Sequence, residues 1–418
     1  MMAGKTISRR TVLTALAGAG AAALIGCDPR GSRQPGTATT IPDPLLVEVD
    51  DGLGVLRGGE RLTIPRAVAS ADGRVIYATA PDGAGTAFWQ IDTATGRTST
   101  RVALPGQWLP QAVSADGTRV ALTTTAENAT SGRPDGRDVT PVLIADVTGI
   151  QHRFELRGNF VPEAFTEDLV GLFVLEWLPA RAPDRYRVRV VDLATRAPGP
   201  LSTRDKSPVP PGAEEEMRGD GRHAVLAPNR TTLYTLYTHQ PDHRHTRDLI
   251  SGRPGNVHAF VHTLNLVERW AYCVDLPHPF GEESASGHAL AIGPNGDRLH
   301  VVDVTSGSVA EISTEELTVR RTATLAPGTG AGHAVAGRDR LFVGVGTTVR
   351  VVDVEGLGLV TGWSVREPVT GLVLSPDGGR LYVGQTDAVS WHDPETGEEF
   401  GRAEVPGLTA VHGLAGHA

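Results

Sequence analysis

One pattern recurs from Pro44 onward, about every forty residues, and it constrains the fold more than any other feature of the chain. Its clearest copy spans residues 369–406. A small-residue apolar run is followed by Asp377-Gly378, a second apolar run, a third that ends at Asp393, and a closing run. Asp-Gly between short apolar runs is a strong hairpin signal because both residues accept positive φ. The pattern therefore predicts repeated units of four antiparallel strands.

The repeats predict a propeller rather than a helical solenoid, because the three-to-four apolar spacing of helices is absent. Further copies begin near Arg66, Gln111, Pro162, His223, His288 and His333. Val411–Ala415 has the pattern of an inner strand with no successor, whereas Leu45–Asp50 and Leu53–Ile64 have the pattern of third and fourth strands with no predecessor. Pairing the two termini would close the ring and remove its exposed edge. We predict an all-β propeller of four-stranded blades, with eight blades favoured and seven as the alternative.

The first residues have the pattern of an export signal. Lys5, Arg9 and Arg10 precede an apolar run too short to span a bilayer, and the run ends at Leu24-Ile25-Gly26-Cys27. This sequence resembles a bacterial lipoprotein signal, and Arg9-Arg10 resembles the twin-arginine export motif. We predict a signal peptide over residues 1–26, lipidation of Cys27, a flexible tether over 27–43 and a propeller domain over 44–418. The protein is expected on the cell membrane, lipid-anchored and facing outside the cytoplasm.

The charge of the chain limits its partners. The formal net charge is −9, and removal of Lys5, Arg9 and Arg10 with the signal, which contains no acidic residue, lowers it to −12. An acidic protein repels phosphate backbones and anionic lipid, so we expect no nucleic-acid partner and a membrane contact made by the lipid alone. We expect a monomer.

The repeats resemble those of YVTN-type, WD-repeat-like propellers of bacterial cell surfaces. The resemblance rests on the Ser-Pro-Asp-Gly turn at Ser375–Gly378 and on third strands such as Val188–Asp192 and Val349–Asp353. It implies a fold, not an activity, since such propellers serve as binding platforms, scaffolds and sometimes enzymes. We predict a non-enzymatic binding or scaffold protein with a protein or small-molecule ligand. The alternative is an enzyme with a site in the channel, either a lactonase-like hydrolase or a metal-dependent oxidoreductase.

Four histidines stand at or near the starts of predicted inner strands: His223, His288, His333 and His412. Inner strands line a propeller's channel, so these side chains could converge on its axis. Imidazole is a good ligand for copper or zinc, and resemblance to propeller enzymes such as nitrous oxide reductase adds that inner-strand histidines can hold copper. The main interpretation is structural, with rings hydrogen-bonded between blades. A polar pocket and a metal site are the alternatives, and no cofactor is expected otherwise.

Other polar segments are predicted to be loops or structural. The tract from His239 to His245, with His258 and His262 further on, can bind metal but is rich in Arg, Asp and Pro, as solvated loops are. The run Glu214–Glu216 is predicted to be solvated, with a calcium or partner contact as the minor alternative. Cys273 lies in an apolar alternation and is predicted to be a buried structural thiol. No catalytic residue is assigned.

Overall fold

A computed structural model describes residues 38–124, 133–218, 222–255 and 257–416. The predicted signal peptide, with Arg9 and Arg10, and the lipidation site Cys27 lie outside the described residues. Within those ranges the chain forms eight four-stranded antiparallel sheets arranged as propeller blades. The prediction of an all-β propeller is confirmed, and its count is eight blades rather than seven. No helix in the described part is long and apolar enough to cross a membrane.

The blades follow one another along the chain after an opening set of three strands. That set is β1 (Ile41–Val49), β2 (Gly52–Gly58) and β3 (Glu60–Ile64). Blade 1 comprises β4 (Ala67–Ala69), β5 (Val75–Asp82), β6 (Gly85–Asp92) and β7 (Val102–Pro105). Blade 2 comprises β8 (Leu109–Val113), β9 (Val120–Thr123), β10 (Val139–Asp146) and β11 (Gly149–Arg157). Blade 3 comprises β12 (Asn159–Phe165), β13 (Gly171–Leu178), β14 (Arg185–Asp192) and β15 (Pro198–Pro200).

The second half of the ring repeats this order. Blade 4 comprises β16 (His223–Leu226), β17 (Thr232–Tyr237), β18 (Phe260–Asn265) and β19 (Ala271–Asp275). Blade 5 comprises β20 (His288–Ile292), β21 (Arg298–Asp303), β22 (Ser308–Ser313) and β23 (Thr318–Thr324). Blade 6 comprises β24 (Gly332–Ala336), β25 (Arg340–Val345), β26 (Thr348–Asp353) and β27 (Leu359–Ser364). Blade 7 comprises β28 (Gly371–Leu374), β29 (Leu381–Gln385), β30 (Ala388–His392) and β31 (Glu399–Glu404), and β32 (Leu408–Leu414) follows it.

The Asp-Gly turns join the first two strands of several blades. In blade 7, Ser375 Oγ donates to Asp377 Oδ1 at 2.5 Å, and the same oxygen accepts the backbone N–H of Gly379 at 3.0 Å. Gly378 between them has φ of 70°. The carboxylate thus accepts hydrogen bonds from groups that have no backbone partner in the tight turn. This explains why Asp recurs at this position.

Strand β32 closes the ring by pairing with β1, with Val411 opposite Val47 and Leu414 opposite Leu45. The closing blade therefore has the order β3-β2-β1-β32. Apolar side chains fill the space between every two neighbouring blades, the closing blade included. First strands of neighbouring blades, such as β20 with β24 and β24 with β28, contact one another, so these strands surround the central channel.

Two details of the predicted ends are wrong. Strand β1 begins at Ile41, inside the predicted tether, and Leu53–Ile64 forms the two strands β2 and β3 instead of one. The N-terminal segment therefore contributes the second, third and fourth strands of the closing blade, and the C-terminal β32 contributes the first. Gly58 has φ of 60°, and with Gly59 it forms a two-residue hairpin connection within the segment predicted as one strand.

Candidate metal and ligand site

The predicted channel histidines separate into two groups. His223 and His333 interact electrostatically with each other, and His223 also interacts with His412. Burial, reinforced by these neighbouring imidazoles, lowers the pKa of both His223 and His333 to about 4. His412 Nε2 lies 3.2 Å from Glu48 Oε2 on β1. These three imidazoles thus occupy one region of the inner strands, where two of them are neutral at pH 7.

His288 has other partners. Its Nε2 accepts the backbone N–H of Gly281 at 3.0 Å, and its Nδ1 donates to the carbonyl oxygen of Ser284 at 3.1 Å. Its electrostatic partners are Asp303 and His239 rather than the other three channel histidines. With both ring nitrogens occupied by backbone groups, His288 is placed to hold the loop that precedes β20. Whether any of the four binds a metal stays a prediction.

A different region of the molecule combines a large cavity with buried ionisable groups. A cleft of about 910 Å³ lies between the loop that follows blade 3, the segment that leads into α1 (Thr246–Ser251), and β19. We call it the blade 3–4 cleft. Its apolar lining includes Leu201, Met217 and Ile250. The guanidinium groups of Arg204 and Arg247 lie 5.6 and 5.4 Å from the ring centre of Tyr272 at the same cleft.

Glu215 is the centre of a buried polar cluster on the wall of this cleft. His245 Nδ1 lies 3.0 Å from Glu215 Oε2, and the Cys273 thiol donates to Glu215 Oε1 at 3.2 Å. One donor atom from each of Glu215, His245 and Cys273 lies within 4.8 Å of the other two. Burial opposes ionisation of Glu215, yet contacts with His243 and His245 keep the pKa of its carboxyl well below the usual range.

Two further imidazoles complete this cluster. His243 Nε2 lies 3.6 Å from Glu215 Oε2, and His262 Nε2 lies 3.8 Å from Glu215 Oε1. Burial lowers the pKa of His262 to about 4, so its ring is neutral at pH 7. We define the Glu215 cluster as Glu215, His243, His245, His262 and Cys273.

Asp275 fixes the orientation of His245. Its Oδ1 lies 2.6 Å from His245 Nε2, while its Oδ2 accepts from Arg247 Nη2 at 2.6 Å. Burial disfavours the charged imidazole, but the hydrogen bonds to Asp275 and Glu215 prevail and raise the pKa of His245 to about 9. One ring nitrogen of His245 therefore contacts the Asp275 carboxylate, and the other contacts Glu215 at the centre of the cluster.

Two sequence predictions fail at this cluster. His243 and His245 were expected in a solvated loop, yet their side chains are 3% and 2% exposed. Glu214–Glu216 were expected to be solvated, but Glu215 belongs to the cluster and Glu214 forms ion pairs with Arg187 and Arg189. The reason is that the segment folds back over blades 3 and 4, where Met217 pairs with Tyr186 through backbone hydrogen bonds. The prediction that Cys273 is buried is confirmed.

A second group of donor atoms lies nearer the surface of the same region. Atoms of His258, His278 and Glu282 lie within 4.8 Å of one another, and His278 hydrogen-bonds to Glu282. The side chains of His278 and Glu282 are 57% and 41% exposed. Water can satisfy exposed side chains of this kind without a metal ion. This group therefore serves as a control site and is not the candidate metal site.

Comparisons with known proteins show relatives in fold only. No protein-family model matches the chain, and no curated protein matches it. The solved structure of Citrobacter koseri AztD superposes with a TM-score of 0.52 at 12% identity, covering 88% of this chain and 96% of that one. The dihydro-heme d1 dehydrogenase NirN in complex with DHE superposes with a TM-score of 0.51 at 12% identity, covering 93% and 77%. The order of the strands and these superpositions together identify the chain as an eight-bladed β-propeller.

Proposed function

We propose that this chain is an extracytoplasmic, lipid-anchored binding protein that holds a small-molecule ligand in the blade 3–4 cleft. The observation that supports this most strongly is the cleft itself, with its volume of about 910 Å³. Ligand sites typically have ~300–1,000 Å³ and combine an apolar lining with a few convergent polar groups. The blade 3–4 cleft has both, because Leu201 and Met217 share its wall with Arg204, Arg247 and the members of the Glu215 cluster other than His243.

The walls of the cleft suggest what kind of ligand would fit. Val188, Leu201 and Met217 supply an apolar surface, while Arg204 and Arg247 bring positive charge to the ring of Tyr272. Two carboxylates nearby are already ion-paired, Glu214 with Arg187 and Arg189, and Asp275 with Arg247. A third, Asp205 on the lining, accepts hydrogen bonds from the hydroxyls of Thr203 and Ser207. The site therefore favours a ligand with an apolar body over a strongly charged one.

Placing a carboxylate on the wall of the cleft should weaken binding of such a ligand. Ile250 lines the cleft and is 53% exposed, so Ile250→Asp should leave the fold intact. Covering a side chain of this size is worth about 1.5–3 kcal/mol, so apolar fragments that bind the wild type should lose tenfold or more in affinity. Ligand-observed NMR with a fragment library provides the measurement.

The matched control is Val360→Asp on β27 of blade 6, because Val360 is 51% exposed and lies far from the cleft in the ring. This variant should bind the same fragments as the wild type. Fragments that bind Ile250→Asp and Val360→Asp equally well would remove the blade 3–4 cleft from consideration as the ligand site.

The membrane anchor is proposed from the sequence pattern at Cys27. The Leu-Ile-Gly-Cys run and the basic start support export, with Arg9 and Arg10 favouring the twin-arginine route for an already folded protein. Two or three acyl chains anchor stably because each buried methylene contributes about 0.8 kcal/mol. The resemblance to YVTN-type surface propellers supports the same location.

Replacing the lipidated residue should detach the protein from the membrane. In Cys27→Ala the thiol that would carry lipid is missing, so the protein should accumulate as uncut precursor or appear in the soluble exported fraction. Fractionation followed by intact-mass measurement distinguishes these forms from the lipidated wild type. Normal processing together with unchanged membrane association in Cys27→Ala would contradict the proposal.

The alternative function is an enzyme, and one observation bears on it. In blade 7, Ser390 donates to His392 Nε2 at 2.8 Å, while His392 Nδ1 donates to the carbonyl oxygen of Gly397 at 3.2 Å. This geometry resembles a nucleophile and its base. However, Ser390 and His392 are 0% and 2% exposed, and Gln385 also donates to Ser390. The pair is a structural hydrogen-bond network, which favours the binding function.

A further inference from the structure

We propose that the Glu215 cluster binds one divalent transition-metal ion of the zinc class, with Glu215, His245, Cys273 and His243 as its ligands. The inference rests on the proposed function in so far as it places a bound species at the blade 3–4 cleft. It deepens that function by naming a metal ion there, and it is tested independently of any organic ligand.

The types of donor atom favour this class of ion. A carboxylate oxygen, imidazole nitrogens and a thiolate sulfur are the ligands of zinc, whereas calcium and magnesium take oxygen ligands only. Tetrahedral coordination with bonds of ~2.0–2.3 Å places an N and an O ligand ~3.3 Å apart, and an S and an O ligand ~3.5 Å apart. The corresponding distances are 3.0 Å from His245 Nδ1 to Glu215 Oε2 and 3.2 Å from Cys273 Sγ to Glu215 Oε1. Each separation is slightly shorter than its tetrahedral value, and each involves a different oxygen of the Glu215 carboxylate. One donor atom from each of the three residues lies within 4.8 Å of the other two, so the donors already surround one point.

His243 provides a second, independent indication. Its side chain is 3% exposed, and within the described part of the chain its Nε2 has no hydrogen-bond partner. A buried nitrogen without a hydrogen bond has a desolvation cost of about 1–3 kcal/mol, which the contact with Glu215 at 3.6 Å offsets only in part. The ring stacks on Phe260 at 4.5 Å between centroids, which holds Nε2 towards Glu215. A metal ion at the centre of the cluster would give this nitrogen a ligand bond.

Asp275 supplies the outer contact that metal-bound histidines usually have. A ligating imidazole donates its other N–H to a carboxylate or carbonyl, which fixes the tautomer and raises the basicity of the ligating nitrogen. His245 has this arrangement already, with Nε2 on Asp275 and Nδ1 on the cluster. Arg247 in turn fixes Asp275. The orienting chain therefore extends from Arg247 through Asp275 to His245.

Binding changes the protonation of the cluster in a defined way. The Cys273 thiol donates a hydrogen bond to Glu215 when no ion is bound, and a metal ion would bind the deprotonated thiolate instead. The thiol proton and the Nδ1 proton of His245 both leave to solvent, while Nε2 keeps its proton on Asp275. The S–H and Nδ1–H bonds are replaced by a metal–sulfur and a metal–nitrogen bond, and no electron is transferred.

The test uses the full-length exported protein, purified in detergent, stripped of metal and titrated with Co²⁺. Cobalt bound to a thiolate gives a charge-transfer absorption, and Zn²⁺ should abolish it by competition. We expect one equivalent of Co²⁺ in the wild type, and no such band in Cys273→Ser. Asp275→Asn should keep the band but bind Co²⁺ ten- to a hundredfold more weakly, as loss of an outer contact does elsewhere. The Asp275 side chain is 44% exposed, so this variant is expected to fold.

The control variant is His278→Gln, which disrupts the surface group of His258, His278 and Glu282 and should leave the titration unchanged. The proposal is overturned if the wild type gives no thiolate band, if Cys273→Ser retains it, or if His278→Gln removes it. Fragment binding measured on metal-free protein tests the proposed function separately. Lost metal binding with retained fragment binding, or the reverse, shows which of the two proposals has failed.

Discussion

A protein that ends at Gly407 should lose cooperative folding, because the deletion removes the whole of β32. This strand is the inner strand of the closing blade and pairs with β1 along its length. Leu408, Val411 and Ala415 are 5%, 6% and 0% exposed, and they contribute to the apolar clusters on both sides of the closing blade. Removing a buried side chain as large as that of Leu408 lowers the free energy of unfolding by about 2–5 kcal/mol. Whole domains have a free energy of unfolding of only about 5–15 kcal/mol, so the loss of several such side chains is decisive.

The deletion should also expose an edge. Leu45 and Val47 on β1 are 0% exposed in the closed ring, and without β32 their strand would have unpaired N–H and C=O groups facing solvent. We therefore expect a broad, early thermal transition and concentration-dependent association. Circular dichroism melts and light scattering would measure the two effects.

Two further proteins make this test specific. Deleting only His417 and Ala418, which lie beyond the described residues, should leave the melting curve unchanged. The single substitution Leu408→Ala should lower the free energy of unfolding by about 2–5 kcal/mol while keeping one cooperative transition. A protein ending at Gly407 that melted like the wild type would mean that the ring closes by a different pairing.

Closure was predictable because strand periodicity is a local property. Most blades carry their own alternation and an Asp or Asn turn, so the repeat alone reveals the unpaired terminal strands and favours eight blades over seven. What the repeat could not give was the position of the hairpin between β2 and β3, since Gly58 and Gly59 lie inside what looks like a single strand. Helix α1 was missed for a similar reason, because its six residues carry no apolar periodicity.

The Glu215 cluster was not predictable as a unit, because its members come from four segments. Glu215 lies in the loop after blade 3, His243 and His245 in the loop before β18, His262 on β18 and Cys273 on β19. One signal was present. His262 and Cys273 are directly opposite each other on neighbouring strands, so a correct hairpin register would have brought an imidazole and a thiol together. Glu215 and His243 reach this pair through loops, and the path of these loops does not follow from the repeat.

The channel histidines show the opposite case, in which the pattern indicated a place but not a chemistry. The pattern correctly placed His223, His333 and His412 on first strands of their blades. The predicted position at a strand start is wrong for His412, because β32 begins at Leu408 and His412 lies in its second half. The sequence could not show that His288 uses both ring nitrogens on the backbone, because Gly281 and Ser284 lie in a loop without repeat character.

Acidification should begin to destabilise this propeller near pH 6.5, before carboxylates start to titrate. His223 and His333 have pKa values of about 4 in the folded chain, because the protein around these half-buried rings desolvates them and they neighbour other imidazoles, whereas an unfolded histidine has a pKa near 6.5. Below pH 6.5 the unfolded chain binds protons that the folded chain does not, so stability present at neutral pH is lost as the pH falls from 6.5 towards 4. At pH 5 each of these residues should lower the free energy of unfolding by about 2 kcal/mol.

The double variant His223→Gln with His333→Gln should remove this part of the pH dependence. Between pH 7 and pH 5 the free energy of unfolding of the wild type should fall by about 4 kcal/mol more than that of the variant, measured by urea denaturation at each pH. His278→Gln is the matched control, since His278 is 57% exposed and its replacement should leave the slope unchanged. Equal slopes in all three proteins would mean that His223 and His333 take up protons in the folded channel, which would require an anion or solvent close to them. The difference between these outcomes therefore also measures how polar the channel is.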